Sequence, residues 1–131
     1  SEMTPSYKQK IALACMLMIN ECFENGKEPP SREEMSDQIG IPETFLEDVI
    51  PFLIHAGLIR ENTESGTVYL PAIPPAKMHV RDVMDAITGP VNQDIFIKPK
   101  SEYWRKSEKA CEFYRMSYSG EANPSVSKLL G

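Results

Sequence analysis

The chain has little of most things that would announce a chemistry. It holds two histidines, three cysteines and one tryptophan, and no glycine-rich phosphate loop, HExxH or CxxC pattern. No apolar run reaches the roughly 18–20 residues a membrane-spanning helix needs. The longest such run, residues 11–19, reads as a buried helix. Basic residues are also in short supply: Lys and Arg number 14 against 19 Asp and Glu, a net charge of −5. That balance excludes a general nucleic-acid coating protein, which would be basic. The cysteines, Cys15, Cys22 and Cys111, are odd in number and scattered, which fits free buried thiols in a reducing compartment better than a disulfide frame. Cys15 and Cys22 stand seven residues apart. On a helix that separation is about 10 Å, too long for one metal ion. His55 and His79 fall in different segments, and neither has a cysteine, serine or carboxylate at a catalytic spacing. The expectation is a non-catalytic chain with no metal and no cofactor.

What is present is concentrated in residues 31–70. Ser31-Arg32-Glu33-Glu34 matches the S/T-x-x-E capping box that starts a helix. Met35 and Ile39 give that helix one apolar face, and Gly40 is placed to stop it in a left-handed turn. Ile41-Pro42 opens a second helix, in which Phe45, Val49, Phe52, Leu53 and Ala56 recur at helical spacing until Gly57. Pro51 lies inside it and predicts a kink near its last turn. Residues 58–61 and 67–70 read as two short strands joined by the turn Thr63-Glu64-Ser65-Gly66. Helix, turn, helix and hairpin make a winged helix-turn-helix, so the predicted fold is mainly α with a small β-hairpin wing and a long C-terminal helix.

Around this motif the reading is coarser. Residues 1–6 are expected to fray, and residues 7–23 form a first helix that is apolar on most sides, hence wrapped by others or facing a partner. After the wing, residues 71–76 carry three prolines and cannot continue a central strand, so they are expected to run over the surface. Val80, Val83, Met84 and Ile87 mark a short amphipathic helix, with His79 where a capping residue belongs and Gly89-Pro90 at its close. Residues 91–99 form a linker containing Val91, Ile95, Phe96 and Ile97. Residues 101–118 form the last long helix, with Trp104, Cys111, Tyr114 and Tyr118 at spacings of seven, three and four. That stripe is either core or a dimer seam. A final turn carries Val126, Leu129 and Leu130, and its leucines are expected to dock. The expected division is a winged helix-turn-helix domain over 1–89, then a linker, long helix and docking tail over 90–131.

The charges bear on function more than the shape does. From Ser31 to Gly57 there is one arginine, Arg32, against Glu33, Glu34, Asp37, Glu43, Glu47 and Asp48. A helix entering a major groove needs basic or polar residues for phosphates and base edges, and this one offers carboxylates. The wing adds Arg60 against Glu61 and Glu64. Bases gather late instead, as Lys98, Lys100, Arg105, Lys106, Lys109 and Arg115 against Glu102, Glu108 and Glu112. This excess reads as a solvated helix face, ahead of a weak nucleic-acid or anionic-lipid patch.

The segments Ile41-Pro42-Glu43, Ala56-Gly57-Leu58-Ile59, Val68-Tyr69-Leu70-Pro71-Ala72 and His79-Val80-Arg81-Asp82-Val83-Met84 resemble the winged-helix domain of IscR/NsrR/CymR-type transcription regulators. They are also similar to the C-terminal cytoplasmic domain of YihY/ribonuclease BN-like membrane proteins, where Gly26-Lys27-Glu28-Pro29-Pro30 fits as well. The regulator resemblance implies a dimer through the long helix, with a seam at Trp104, Cys111, Tyr114 and Tyr118. It implies DNA contacts at Ser31, Arg32, Thr44, Arg60, Asn62 and Thr63. The cysteine trio that holds an iron–sulfur cluster in some of those regulators is absent, and the acidic motif departs from them. The preferred expectation is therefore an interaction domain of the membrane-protein kind, with a protein partner or a second copy bound and DNA disfavoured. The alternative is the dimeric DNA-binding regulator. Either is expected in the cytoplasm, the first at the inner face of the membrane.

Overall fold

A threonine sets the first helix. In the computed structural model, which describes residues 2–89 and 97–131, Thr4 Oγ1 accepts the Tyr7 amide at 3.1 Å and Pro5 opens α1 (Pro5–Glu24). The N-terminus expected to fray is thus capped at its fourth residue. Ile11, Ala12, Cys15, Met16 and Ile19 turn the buried side of α1 into the centre of the molecule. Asn20 is buried with them. Its Nδ2 lies 3.7 Å from Met78 Sδ, and its Oδ1 has no partner among the described residues.

The capping box forms as expected. Ser31 Oγ accepts the Glu34 amide at 3.1 Å while the Glu34 carboxylate accepts the Ser31 amide, starting α2 (Arg32–Ile39). Gly40 ends it at φ 85°. The second helix of the motif is not one kinked helix. It is two, α3 (Glu43–Glu47) and α4 (Ile50–His55). Pro51 has no amide to donate to Glu47, so the chain tightens across Asp48 and Val49 into three-residue turns and restarts with Pro51 in the first turn of α4. Gly57 stops α4 at φ 75°, with its own amide on Ile54 and that of Leu58 on Leu53, both at 3.0 Å.

The wing pairs β1 (Ile59–Asn62) with β2 (Val68–Pro71) antiparallel, Ile59 opposite Pro71 and Asn62 opposite Val68. Both strands sit one residue later than the hydropathy pattern predicts, because Leu58 is spent closing α4. Asn62 Oδ1 accepts the Glu64 amide at 3.0 Å to shape the turn. The wing is also tied backwards: the Tyr69 amide donates to Pro30 at 3.0 Å, and Ser31 bridges Val68. The connector after β2 lies on the surface at Ala72, Pro74 and Ala76, as expected, but not along its whole length. Pro71 and Pro75 are buried and residues Pro75–Lys77 make a 3-10 turn. A proline brings no amide donor with it, so burying one strands fewer polar groups than burying another loop residue would.

α5 (Val80–Thr88) follows, the Asp82 carboxylate accepting the His79 amide at 2.9 Å. The linker residues Val91, Ile95 and Phe96 lie outside the described residues. α6 (Glu102–Met116) is capped by Ser101, and the chain then returns to the body through α7 (Val126–Leu129). The tail docks, but through Val126 rather than its leucines. Val126 joins the central cluster and its amide donates to Met78 at 2.7 Å, whereas Leu129 is exposed. The fold is mainly helical with one antiparallel hairpin, as the pattern predicts.

Leu53 is fully buried on α4, between the motif and the core. Leu53→Ala is expected to lower unfolding free energy by about 2–5 kcal/mol. Gly57→Ala should cost about 1 kcal/mol through its left-handed backbone, and Ser31→Ala about 1 kcal/mol through the lost cap. Urea titration of the three variants checks both size and order.

Candidate functional site

Two surfaces are candidates: the exposed side of the motif with its wing, and the face of α6. On the first, α2 starts beside the wing because Ser31 pairs with Val68, which stands opposite Asn62. Ser31, Arg32 and Asn62 are thereby brought to one region. Each already has at least one polar side-chain atom engaged. Ser31 Oγ is held in the capping box and Asn62 Oδ1 in the wing turn. Arg32 Nε lies 3.1 Å from Glu43 and Nη2 lies 3.8 Å from Glu47. The Glu43 hydrogen bond, with Glu47 beside it, makes the guanidinium harder to deprotonate. Thr44, Arg60 and Thr63 are exposed side chains with no described hydrogen bond or ion pair to that cluster.

Between α2, α4 and the wing lies an open cleft of about 410 Å³ whose walls include Arg32, Glu47, His55, Glu61 and Tyr69. Burial raises the Tyr69 phenol above its ordinary pKa, and the Glu61 carboxylate adds to it. The single arginine of the motif therefore sits among carboxylates of its own chain. Reading the sequence shows the acidic excess but not this clamp. Its signal is present all the same: Glu43 and Glu47 are one helical turn apart and so share a face.

α6 presents the second surface. None of its residues is buried, so its aromatic stripe is not core. Tyr103 is 87 % exposed and Tyr114 65 %. Trp104, Cys111 and Tyr114 lie within α6 at spacings of seven and three, whereas Tyr118 falls two residues past its end. The Tyr118 hydroxyl donates to that of Tyr114 at 2.8 Å with the rings edge to face, and this raises the Tyr118 pKa. The basic residues nearby are largely matched: Lys98 pairs with Glu108, Arg105 and Lys106 with Glu102, and Arg115 with Asp85. Lys109 lies 5.8 Å from the Phe113 ring centroid. Surface charges so paired make a solvated face. The thiols also differ from expectation. Cys15 is buried, Cys22 half-buried, and Cys111 exposed in the stripe.

No protein-family model and no curated protein sequence matches the chain. Solved structures do. CymR (YrzC), the global cysteine regulator of B. subtilis, superposes with a TM-score of 0.65 at 17% identity, covering 99% of this chain and 96% of that one. This chain has the winged-helix fold. A putative transcriptional regulator from Listeria innocua gives a TM-score of 0.68 at 18% identity over 99% and 88% of the two chains. IscR of T. potens gives 0.63 at 21% identity over 99% and 86%. The regulator side of the sequence resemblance is matched in fold, and the YihY/ribonuclease BN side receives no support from these structures. No helix among the described residues is long and apolar enough to cross a membrane. No cluster of metal-ligating side chains occurs among them either.

Releasing Arg32 tests the clamp. Glu43→Gln combined with Glu47→Gln should change stability by less than about 1 kcal/mol, as exposed pairs do, yet raise the salt needed to elute the protein from heparin. The thiols supply a second check. Burial pushes Cys15 up to about 12, so at pH 8 it should resist a thiol reagent until the protein unfolds, whereas Cys111 reacts in the native state.

Proposed function

We propose that the chain is a dimeric, non-catalytic winged-helix transcription regulator of the CymR/IscR type. One observation carries this reading: the likeness to regulator structures runs through 99% of the chain, so it takes in α6 and the tail as well as the motif. A winged helix alone serves many purposes, and only the whole arrangement points to one. The unburied stripe on α6 supports the dimer. A helix and following turn that leave Trp104, Tyr114 and Tyr118 unburied on one chain gain most by covering them with a second copy. In this reading α6 is the seam, with Trp104, Cys111, Tyr114 and Tyr118 at its centre. Ser31, Arg32, Thr44, Arg60, Asn62 and Thr63 face DNA, and the two motifs of the dimer meet half-sites about 34 Å apart. The division into a body over 1–89 and an arm with tail over 90–131 belongs to the same proposal, as does a place in the cytoplasm.

A second reading rests on the clamped arginine and its surrounding carboxylates. Phosphate contacts supply most of the affinity of a DNA-binding protein, and this surface spends its one motif arginine on Glu43 and Glu47. In that reading the winged helix binds a protein, as it would in a domain attached to a membrane protein of the YihY kind.

Sedimentation and gel shift separate the readings. The regulator is expected to sediment as a dimer and to shift its own upstream DNA at about 50 mM salt, losing that binding steeply by 200 mM. Tyr114→Glu should return it to monomer and abolish the shift. A dimer that fails to shift any upstream fragment at low salt would favour the protein-binding reading. A monomer at all concentrations would remove the seam from both.

A further inference from the structure

Where the last turn of α6 meets α5 there is an open-sided cavity of about 430 Å³, within the range of small-molecule sites. Its polar end holds two guanidiniums, Arg81 and Arg115, and among the described residues one lining carboxylate, Asp85. Asp85 pairs with Arg115, which is about one-third exposed. Arg81 Nη2 donates to the Arg115 carbonyl at 2.7 Å, and the Arg81 amide donates to Asn123 Oδ1 at 2.8 Å. A guanidinium has five N–H donors in a planar fork. These contacts engage one side-chain nitrogen of each arginine, so most donors remain uncommitted among the described residues, with positive charge in excess of negative. The hydroxyls of Tyr114 and Tyr118 share one hydrogen bond, which leaves the Tyr114 proton to donate elsewhere. Val80 and Met84 line the cavity with apolar surface.

Two under-matched guanidiniums, a spare phenol proton and an apolar wall describe a binding site for an organic anion. We propose that this cavity binds a small carboxylate-bearing molecule, its carboxylate between Arg81 and Arg115 and its stem against Val80 and Met84. Planar guanidinium forks suit a carboxylate bidentately, which a lone ammonium would not. The position gives such a ligand leverage. It would touch the body through α5 and the seam helix through Tyr114 and Arg115, so it would favour one placement of α6 over another. That consequence rests on the dimeric-regulator reading. The binding itself does not.

The test is calorimetric titration of the DNA-free chain with succinate, 4-methylpentanoate and phenylacetate, alongside inorganic phosphate, with hydrogen exchange to locate the site. At least one carboxylate is expected to bind saturably below about 10 mM and to protect residues 80–85 and 114–118. Arg81→Gln should weaken that carboxylate about tenfold or more, the loss of one charge-assisted bond. Tyr114→Phe, which keeps the ring, should weaken it severalfold and guards against a folding defect in the arginine variant. No saturable binding of any carboxylate overturns the proposal. So does phosphate binding alone, or variants that bind as well as the parent chain. A chain that binds a carboxylate but no DNA keeps the cavity and loses the regulator reading. One that shifts DNA yet binds no carboxylate loses the cavity alone.

Discussion

The body exists to keep helix α1 dry. Ala12, Cys15 and Met16 have no solvent exposure at all, and a helix buried that fully cannot find enough cover in one neighbour. Met35 of α2, Tyr69 of the wing, Val83 of α5 and Val126 of the tail all close on it, so four segments distant in sequence are fixed relative to one another by one apolar cylinder. The consequence is rigidity between surfaces that do not touch. The wing is located by Tyr69 and by the Tyr69 amide on Pro30, while α5 is located by Val83 and by Gln9 donating to the Met84 carbonyl at 3.4 Å. Whatever the motif meets and whatever the cavity beside α5 meets are therefore carried on one frame. Packed interiors of this density transmit displacement rather than absorb it.

Electrostatics pull against shape on this frame. The motif has an outer side: α3, α4 and the wing pack Leu46, Leu53 and Tyr69 into the core while Phe52 and Ile54 of α4 remain exposed. Yet Arg32 at the head of α2 reaches across to Glu43 and Glu47 instead of outward. Exposed pairs of this kind add little stability, so the clamp is a poor explanation of folding. Its effect is on what may approach. A phosphate oxygen would have to displace a carboxylate to reach that guanidinium, and it would do so beside Glu61. A DNA-binding function on this surface must accordingly lean on backbone amides, Arg60 and the hydroxyls of Thr44 and Thr63.

Much of this was legible in the chain because the signals are local. A serine and glutamate three apart, a glycine after each apolar run and a proline after Ile41 each act within a turn of the backbone, and each boundary they imply is present. The misreadings share a cause as well. Pro51 sits on the apolar repeat Phe45, Val49, Phe52, so periodicity ran through a position where the hydrogen-bond ladder cannot. The prolines of residues 71–76 mark irregular chain, half of it exposed as expected, but the burial of Pro71 and Pro75 depends on what lies above them, here α1 and the returning tail. Asn20 occupies a helical position next to the apolar face, and its complete burial follows from Met78, 58 residues away. The clamp on Arg32 and the convergence of Arg81, Arg115 and Asp85 are tertiary facts of the same kind. Nothing in the spacing of 81, 85 and 115 brings them together until α6 has folded back.

How α6 is held decides what the rest can do. It is a helix of 15 residues, about 22 Å long, and its described polar links to the body fall at one residue near its C-terminal end, Arg115. Of the exposed stripe, Trp104 and Cys111 lie along the length beyond that fulcrum and Tyr114 lies beside it. A rod pinned near one end amplifies rotation: 10° at Arg115 moves Trp104 by roughly 3 Å, estimated from the helical rise. Seams between packed helices do not follow such movement smoothly, since side chains interlock in one arrangement or another. If two copies meet through this stripe, the distance between their motifs is then set by the bonds that Arg81, Asp85 and Arg115 make among themselves.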